Sequence, residues 1–139
     1  MNMHVQVSKP IERLFEGFRV AVLHNDVEAV VSQFVYPLSF FDGSRTVVLN
    51  DEDKAARAIQ ILWMLYEDMG MASIETLWMV QHRISSDFVL ADVTWRLLDG
   101  NSAPICDQRS TYAIRGVGEA ARIVSVFFHE DNFPRHADA

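Results

Sequence analysis

Few side chains in this sequence could carry proton chemistry, and most of them fall on segments that read as strands. His82 and His129 are two of them. Either one, paired with a carboxylate such as Asp107, would suit acid–base work, because histidine changes charge near neutral pH. Strand alternation puts Asp107 on the same face as Arg109 and Thr111, opposite Tyr112. A second reading therefore stands beside the first, with both histidines on an exposed or subunit-facing side. Tyr112 reads as a buried phenol, which either donates to a ligand oxygen or is a core aromatic satisfied locally. Asp42 stands directly before Gly43, a combination that also makes a plain turn.

Other chemistries lack their residues. The five histidines His4, His24, His82, His129 and His136 form no i, i+4 pair and have no cysteine partners, so no metal site is expected. No glycine-rich phosphate loop or serine nucleophile elbow occurs. Cys106 stands without a supporting motif and reads as a small core residue. Trp63, Trp78, Trp95 and Tyr66, with six methionines, read as core or as the wall of an adaptable pocket for a flat apolar ligand.

The elements that must position these groups are legible. Ser8-Lys9-Pro10 opens a helix whose apolar face is Ile11, Leu14, Phe15, Phe18 and Val22, ending at His24-Asn25. Asp26 caps a short second helix over Val27 to Ser32. Pro37 turns Tyr36 to Phe41 into an extended edge segment. Asp42-Gly43-Ser44 is a turn, and Arg45 to Leu49 returns as a short β arm. Asn50 caps a long helix with Ala55, Ile59, Leu62, Tyr66 and Met69 along its stripe. Ile61, Trp63, Met64 and Leu65 widen that stripe, so this helix is expected to be buried on more than one side. Gly70 closes it. Four strands follow: Ser73 to Ser85, Phe88 to Leu98, Ile105 to Arg115 and Arg122 to Glu130. Short connections make them antiparallel.

Period two assigns the faces. Val89, Ala91, Val93, Trp95 and Leu97 form an inner face, opposite Phe88, Leu90, Asp92, Thr94 and Arg96. On the last strand Val124, Val126 and Phe128 alternate with Ile123, Ser125, Phe127 and His129. On the first, Leu77 and Met79 oppose Trp78 and Val80. The outer face is thus too apolar to be left wet, and a homodimer through it is expected, with a folded-back C-terminal tail as the alternative cover.

Composition bounds the function. The chain has 139 residues, is 50% hydrophobic and 22% charged, and carries a net charge of −7 with a pI near 5.1. That fits one α+β domain over 1–139 with an ordered core over about 8–133. Lys9 and Lys54 are the only lysines, which argues against nucleic acid. The longest strongly apolar run, Ala58 to Tyr66, is too short for a bilayer. One cysteine and no apolar leader in Met1 to Ser8 point to the cytoplasm.

The order of these elements resembles the nuclear transport factor 2-like superfamily, which includes ketosteroid isomerases and SnoaL-like polyketide cyclases. The likeness spans Ile11 to Phe133 and rests on Asn25-Asp26-Val27-Glu28-Ala29-Val30, Phe40-Phe41-Asp42-Gly43, Thr111-Tyr112-Ala113-Ile114-Arg115 and Ala121-Arg122-Ile123-Val124. It implies a cone: about three N-terminal helices packed into a strongly curved, four- to six-stranded antiparallel or mixed sheet. Its interior would be an apolar pocket lined by Phe15, Phe18, Tyr36, Phe40, Leu62, Tyr66, Val93, Trp95, Val126 and Phe128. By the same resemblance Asp42 would be a general base and Tyr112 a hydrogen-bond donor, with His82 a weaker catalytic candidate. The isomerases have proline where Gly43 stands, and a first-helix tyrosine where Phe15 and Phe18 stand. The implied function is binding of a small apolar ligand without cofactor, with isomerase-, cyclase- or dehydratase-like chemistry if catalytic. The alternative is a non-catalytic dimeric interaction or accessory-subunit module.

Overall fold

In the computed structural model, which describes residues 8–116 and 118–129, three α-helices and a 3-10 turn pack on one six-stranded mixed sheet. Along the chain these are α1 (Lys9–Leu23), α2 (Val27–Val31), β1 (Phe34–Asp42), β2 (Arg45–Leu49) and α3 (Glu52–Asp68). β3 (Ser73–Ser85), β4 (Phe88–Leu98), β5 (Pro104–Arg115), the 3-10 turn (Gly118–Ala120) and β6 (Arg122–Phe128) follow. Among these residues no helix is long and apolar enough to cross a membrane.

Local chemistry sets the element ends. Asp26 Oδ1 accepts the Ala29 amide, and Asp51, one residue past Asn50, caps α3 by accepting from Lys54 N at 3.0 Å. Gly70, at φ 100°, ends α3 in a paired turn: its amide reaches Glu67 O and that of Met71 reaches Tyr66 O. Gly43, at φ 58°, allows the two-residue connection that pairs Asp42 with Arg45.

The sheet runs β2-β1-β6-β5-β4-β3, with β1 and β6 parallel and every other pair antiparallel. β1 is therefore an inner strand, not the edge segment that Pro37 suggested. The proline is accommodated because the β1–β6 ladder breaks register between Phe34 and Ser39, where its missing N–H is not required. Further breaks interrupt the pairing of β3 with β4 and of β4 with β5, and such bulges bend long strands. A bulge in β6 pairs Ala113 with Ser125 but Ile114 with Ile123, so Val124 is the extra residue. Ile123 consequently turns inward with Val126, although simple alternation puts those two residues on opposite faces.

Ala91, Val93, Trp95 and Leu97 of β4 are buried, as alternation predicts. Ile11, Phe15, Phe18 and Ala21 of α1 pack over them. Phe15 is fully buried, its ring 4.7 Å from that of Tyr112 and 5.6 Å from that of Phe18. α3 departs from expectation. Ala55, Trp63 and Tyr66 are buried, but Ile61, Met64 and Leu65 are more than half exposed. The helix is covered on one side only, because nothing among the described residues packs on its outer face. Trp78, on the outer face of β3, is likewise exposed.

Candidate functional site

The inner face of β5 carries Gln108, Ser110 and Tyr112 at i, i+2 and i+4, opposite Trp95, Val93 and Ala91 of β4. These three hydrogen-bonding side chains lie on a face otherwise given to the core. All three open onto a chamber of about 90 Å³. α1 closes it with Phe18 and Val22, and α3 with Ile59, Leu62, Trp63 and Tyr66. β1 and β6 add Phe34, Phe40, Val126 and Phe128.

Its polar wiring is incomplete. Tyr66 donates its hydroxyl proton to Gln108 Oε1, its one acceptor among the described residues. That bond assigns Oε1 as the acceptor, leaving Nε2 with two protons to donate. Trp95 Nε1 donates to Tyr112 Oη at 3.1 Å. Gln108 is 3% exposed and Ser110 1% exposed, yet Gln108 Nε2 and Ser110 Oγ have no protein hydrogen-bond partner among the described residues. Ser110 does lie close enough to Tyr112 to favour its phenolate, though short of hydrogen-bonding geometry. Burial dominates both phenols and pushes their pKa values up, so Tyr66 and Tyr112 remain protonated donors at neutral pH. The chamber is thus an apolar space with one polar wall, rich in donors.

A second depression adjoins it. A groove of about 230 Å³ runs between α3 and the β1–β2 hairpin, lined by Leu38, Val47, Leu49, Ala58, Ile61 and Leu65 among others. Chamber and groove share Phe34, Phe40, Ile59, Leu62 and Phe128. The Phe40 and Phe128 rings meet edge to face at 4.8 Å.

Of the residues singled out from sequence, Phe18, Phe40, Leu62, Tyr66, Trp95, Tyr112, Val126 and Phe128 line the chamber. Phe15 and Val93 are fully buried behind it, and the Tyr36 hydroxyl donates to Val31 O at 2.8 Å. Asp42 is not brought together with Tyr112. It lines the groove at the end of β1, with Arg45 Nη2 at 3.4 Å from its carboxylate.

His82 lies on the opposite face of the sheet from the chamber, where it faces Leu90. The carboxylate near it is that of Asp92, not of Asp107. Asp107 is held bidentately by Arg96, at 2.7 and 3.0 Å, and that hydrogen bonding keeps its carboxyl below the usual range. Asp92 instead receives the Thr111 hydroxyl, with His82 Nε2 at 3.9 Å and Arg109 Nη2 at 3.7 Å. Thr111 Oγ1 lies 2.9 Å from His129 Nε2. Among the described residues no three of His, Cys, Asp and Glu are grouped to hold a metal ion.

Gln108 and Ser110 were missed from sequence. The alternation that set Asp107, Arg109 and Thr111 apart from Tyr112 already placed Gln108 and Ser110 on the Tyr112 side, so the signal was present.

A family model for NTF2-like proteins (DUF6841) matches residues 8–131. The chain belongs to this NTF2-like family. Solved structures agree on the fold. An NTF2-like protein of unknown function from Shewanella oneidensis MR-1 superposes with a TM-score of 0.66 at 13% identity, covering 86% of this chain and 95% of its own. One from Pseudomonas putida KT2440 gives 0.64 at 17%, covering 93% and 89%. Aln2 from a Streptomyces species gives 0.67 at 12%, covering 91% and 95%. At these identities the likeness concerns the NTF2-like fold alone. No curated protein sequence matches significantly.

Proposed function

We propose that this NTF2-like chain binds a small, largely apolar molecule in its chamber and holds it by one hydrogen-bond acceptor, such as a carbonyl oxygen. The observation that carries this reading is the pair of buried groups without protein partners, Gln108 Nε2 and Ser110 Oγ, in an otherwise apolar space. Buried donors are normally satisfied, and leaving one unpaired costs about 1–3 kcal/mol. A ligand oxygen there would recover that cost, and the aromatic wall would recover apolar burial. Tyr112, already accepting from Trp95, keeps its own proton to offer.

The reading is one of binding more than of proton transfer. An isomerase-like step needs a base and an oxyanion donor at neighbouring atoms of one substrate, whereas Asp42 lines the outer space, the groove, and Tyr112 the inner chamber. Melting curves with 2-butanone, a ketone small enough for the chamber, test the proposal. 2-Butanone is expected to raise the melting temperature of the unsubstituted protein and to raise that of Ser110→Ala by less. A chamber that holds only water would give no shift with any carbonyl compound.

A second reading rests on a different observation. Trp78 is 53% exposed, Phe127 is 37% exposed and stacks on Phe41 at 4.6 Å, and all lie on the outer sheet face. That face supports a homodimer as an interaction module. Sedimentation at micromolar concentration decides it, a monomer being the contrary result.

A further inference from the structure

The chamber at about 90 Å³ has room for roughly three water volumes, and an apolar cavity near 150 Å³ is what benzene takes. It is therefore a socket for the end of a molecule, not for a whole steroid or polycyclic ligand. The adjoining groove, at about 230 Å³, is the larger space, and its wall is apolar on both sides: Val47 and Leu49 from β2, Ile61 and Leu65 from α3. These side chains include three that a helix or strand would ordinarily cover, since Val47, Ile61 and Leu65 are exposed. Five shared residues make the two spaces contiguous, and the Phe40–Phe128 pair stands on the boundary. The charged side chains lining the groove are Asp42 and Arg45, which pair with each other at its rim at 3.4 Å. The chamber's lining has no charged side chain, and the unpartnered donors there, on Gln108 and Ser110, are neutral.

Resting on the chamber reading above, we infer that the ligand class is a single-chain amphiphile with an uncharged acceptor head, an aliphatic ketone or aldehyde, bound head first. Its oxygen accepts from Gln108 Nε2 and Ser110 Oγ. Its chain passes the Phe40–Phe128 boundary, which opens by rotation of the two rings, and lies along the groove between α3 and β2.

Calorimetric titration with the methyl ketones from 2-butanone to 2-dodecanone tests this. Each methylene laid on the groove removes apolar surface from water, so affinity is expected to rise about fourfold per carbon until the groove is filled and then to level. Leu65→Glu and Ile61→Glu, both at exposed positions and so safe for folding, are expected to flatten that rise. Ile84→Glu, exposed on β3 away from the groove, is expected to leave it unchanged. Equal affinity for short and long ketones would overturn the groove inference while leaving the chamber reading standing. Binding of dodecane as tightly as 2-dodecanone would overturn the head-first orientation. If no ketone of any length binds, the chamber reading itself falls. A dimer that Leu65→Glu dissociates would give the groove to a second copy of the chain and overturn the inference.

Discussion

A primary amide and a serine hydroxyl buried on the wall of an apolar chamber each cost the folded protein about 1–3 kcal/mol when no partner takes their hydrogen bonds. That cost makes Ser110 informative. Ser110→Ala removes a buried hydroxyl without leaving a new orphan, so it is expected to raise the melting temperature of the ligand-free protein by roughly 2–5 °C while weakening ketone binding about tenfold. A fall in melting temperature would mean that the hydroxyl is satisfied. The tyrosines offer a pH test. Burial raises the pKa of Tyr66 and Tyr112, and burial with Glu52 and Asp51 nearby pushes Tyr36 up to about 12. These are the only three tyrosines in the chain. Because the folded values exceed the unfolded one near 10, the unfolded chain loses protons first, and stability falls as pH rises above about 10. Below that pH the contribution is fully present. Phenolate absorbance is expected to appear together with unfolding, not at the ordinary tyrosine pKa. A phenolate titrating near 10 in the intact fold would contradict the burial.

At the scale of elements, α1 seals the chamber from behind. Phe15 is fully buried against Tyr112, Trp95 and Phe18. Phe15→Ala is expected to cost about 3–5 kcal/mol in chemical denaturation and to loosen the chamber wall. Gly116, after β5, is a stricter position. It sits at φ 100°, and a Cβ there would lie 2.6 Å from Ala120 O, so Gly116→Ala is expected to destabilise by more than about 1 kcal/mol. Much of this level was legible in the sequence, because helix stripes, caps and the β4 alternation are local signals. Asp26, Gly43 and Gly70 sit where their chemistry required. What escaped was non-local. The β6 bulge at Val124 depends on pairing with β5, and the inner position of β1 depends on a parallel partner far along the chain. The breadth of apolar residues on α3 said that the helix wanted cover, but not that its outer face would stay open. Within the candidate site, the aromatic lining was legible from type and spacing. Gln108 and Ser110 were not recognised because polar residues on a strand are ordinarily read as solvent-facing.

At the scale of the whole molecule, the described residues present two apolar surfaces besides the core: the groove over α3 and the outer sheet face around Trp78 and Phe127. They make separable predictions. Trp78→Arg is expected to shift a dimer toward monomer in sedimentation without altering ketone affinity, since Trp78 lies on the sheet face away from the chamber. Loss of binding in that variant would tie the chamber to the assembly. Fold leaves these choices open, since NTF2-like chains share the cone whatever its interior holds. The deciding chemistry lies in two unpartnered groups on β5. The most direct test is the infrared carbonyl stretch of 13C-labelled 2-decanone bound to the protein. Donation from Gln108 Nε2 and Ser110 Oγ is expected to lower the frequency below that in an alkane solvent, with part of the shift lost in Ser110→Ala. A bound carbonyl absorbing at the alkane-solvent frequency would contradict the assignment of these residues as the ligand's anchor.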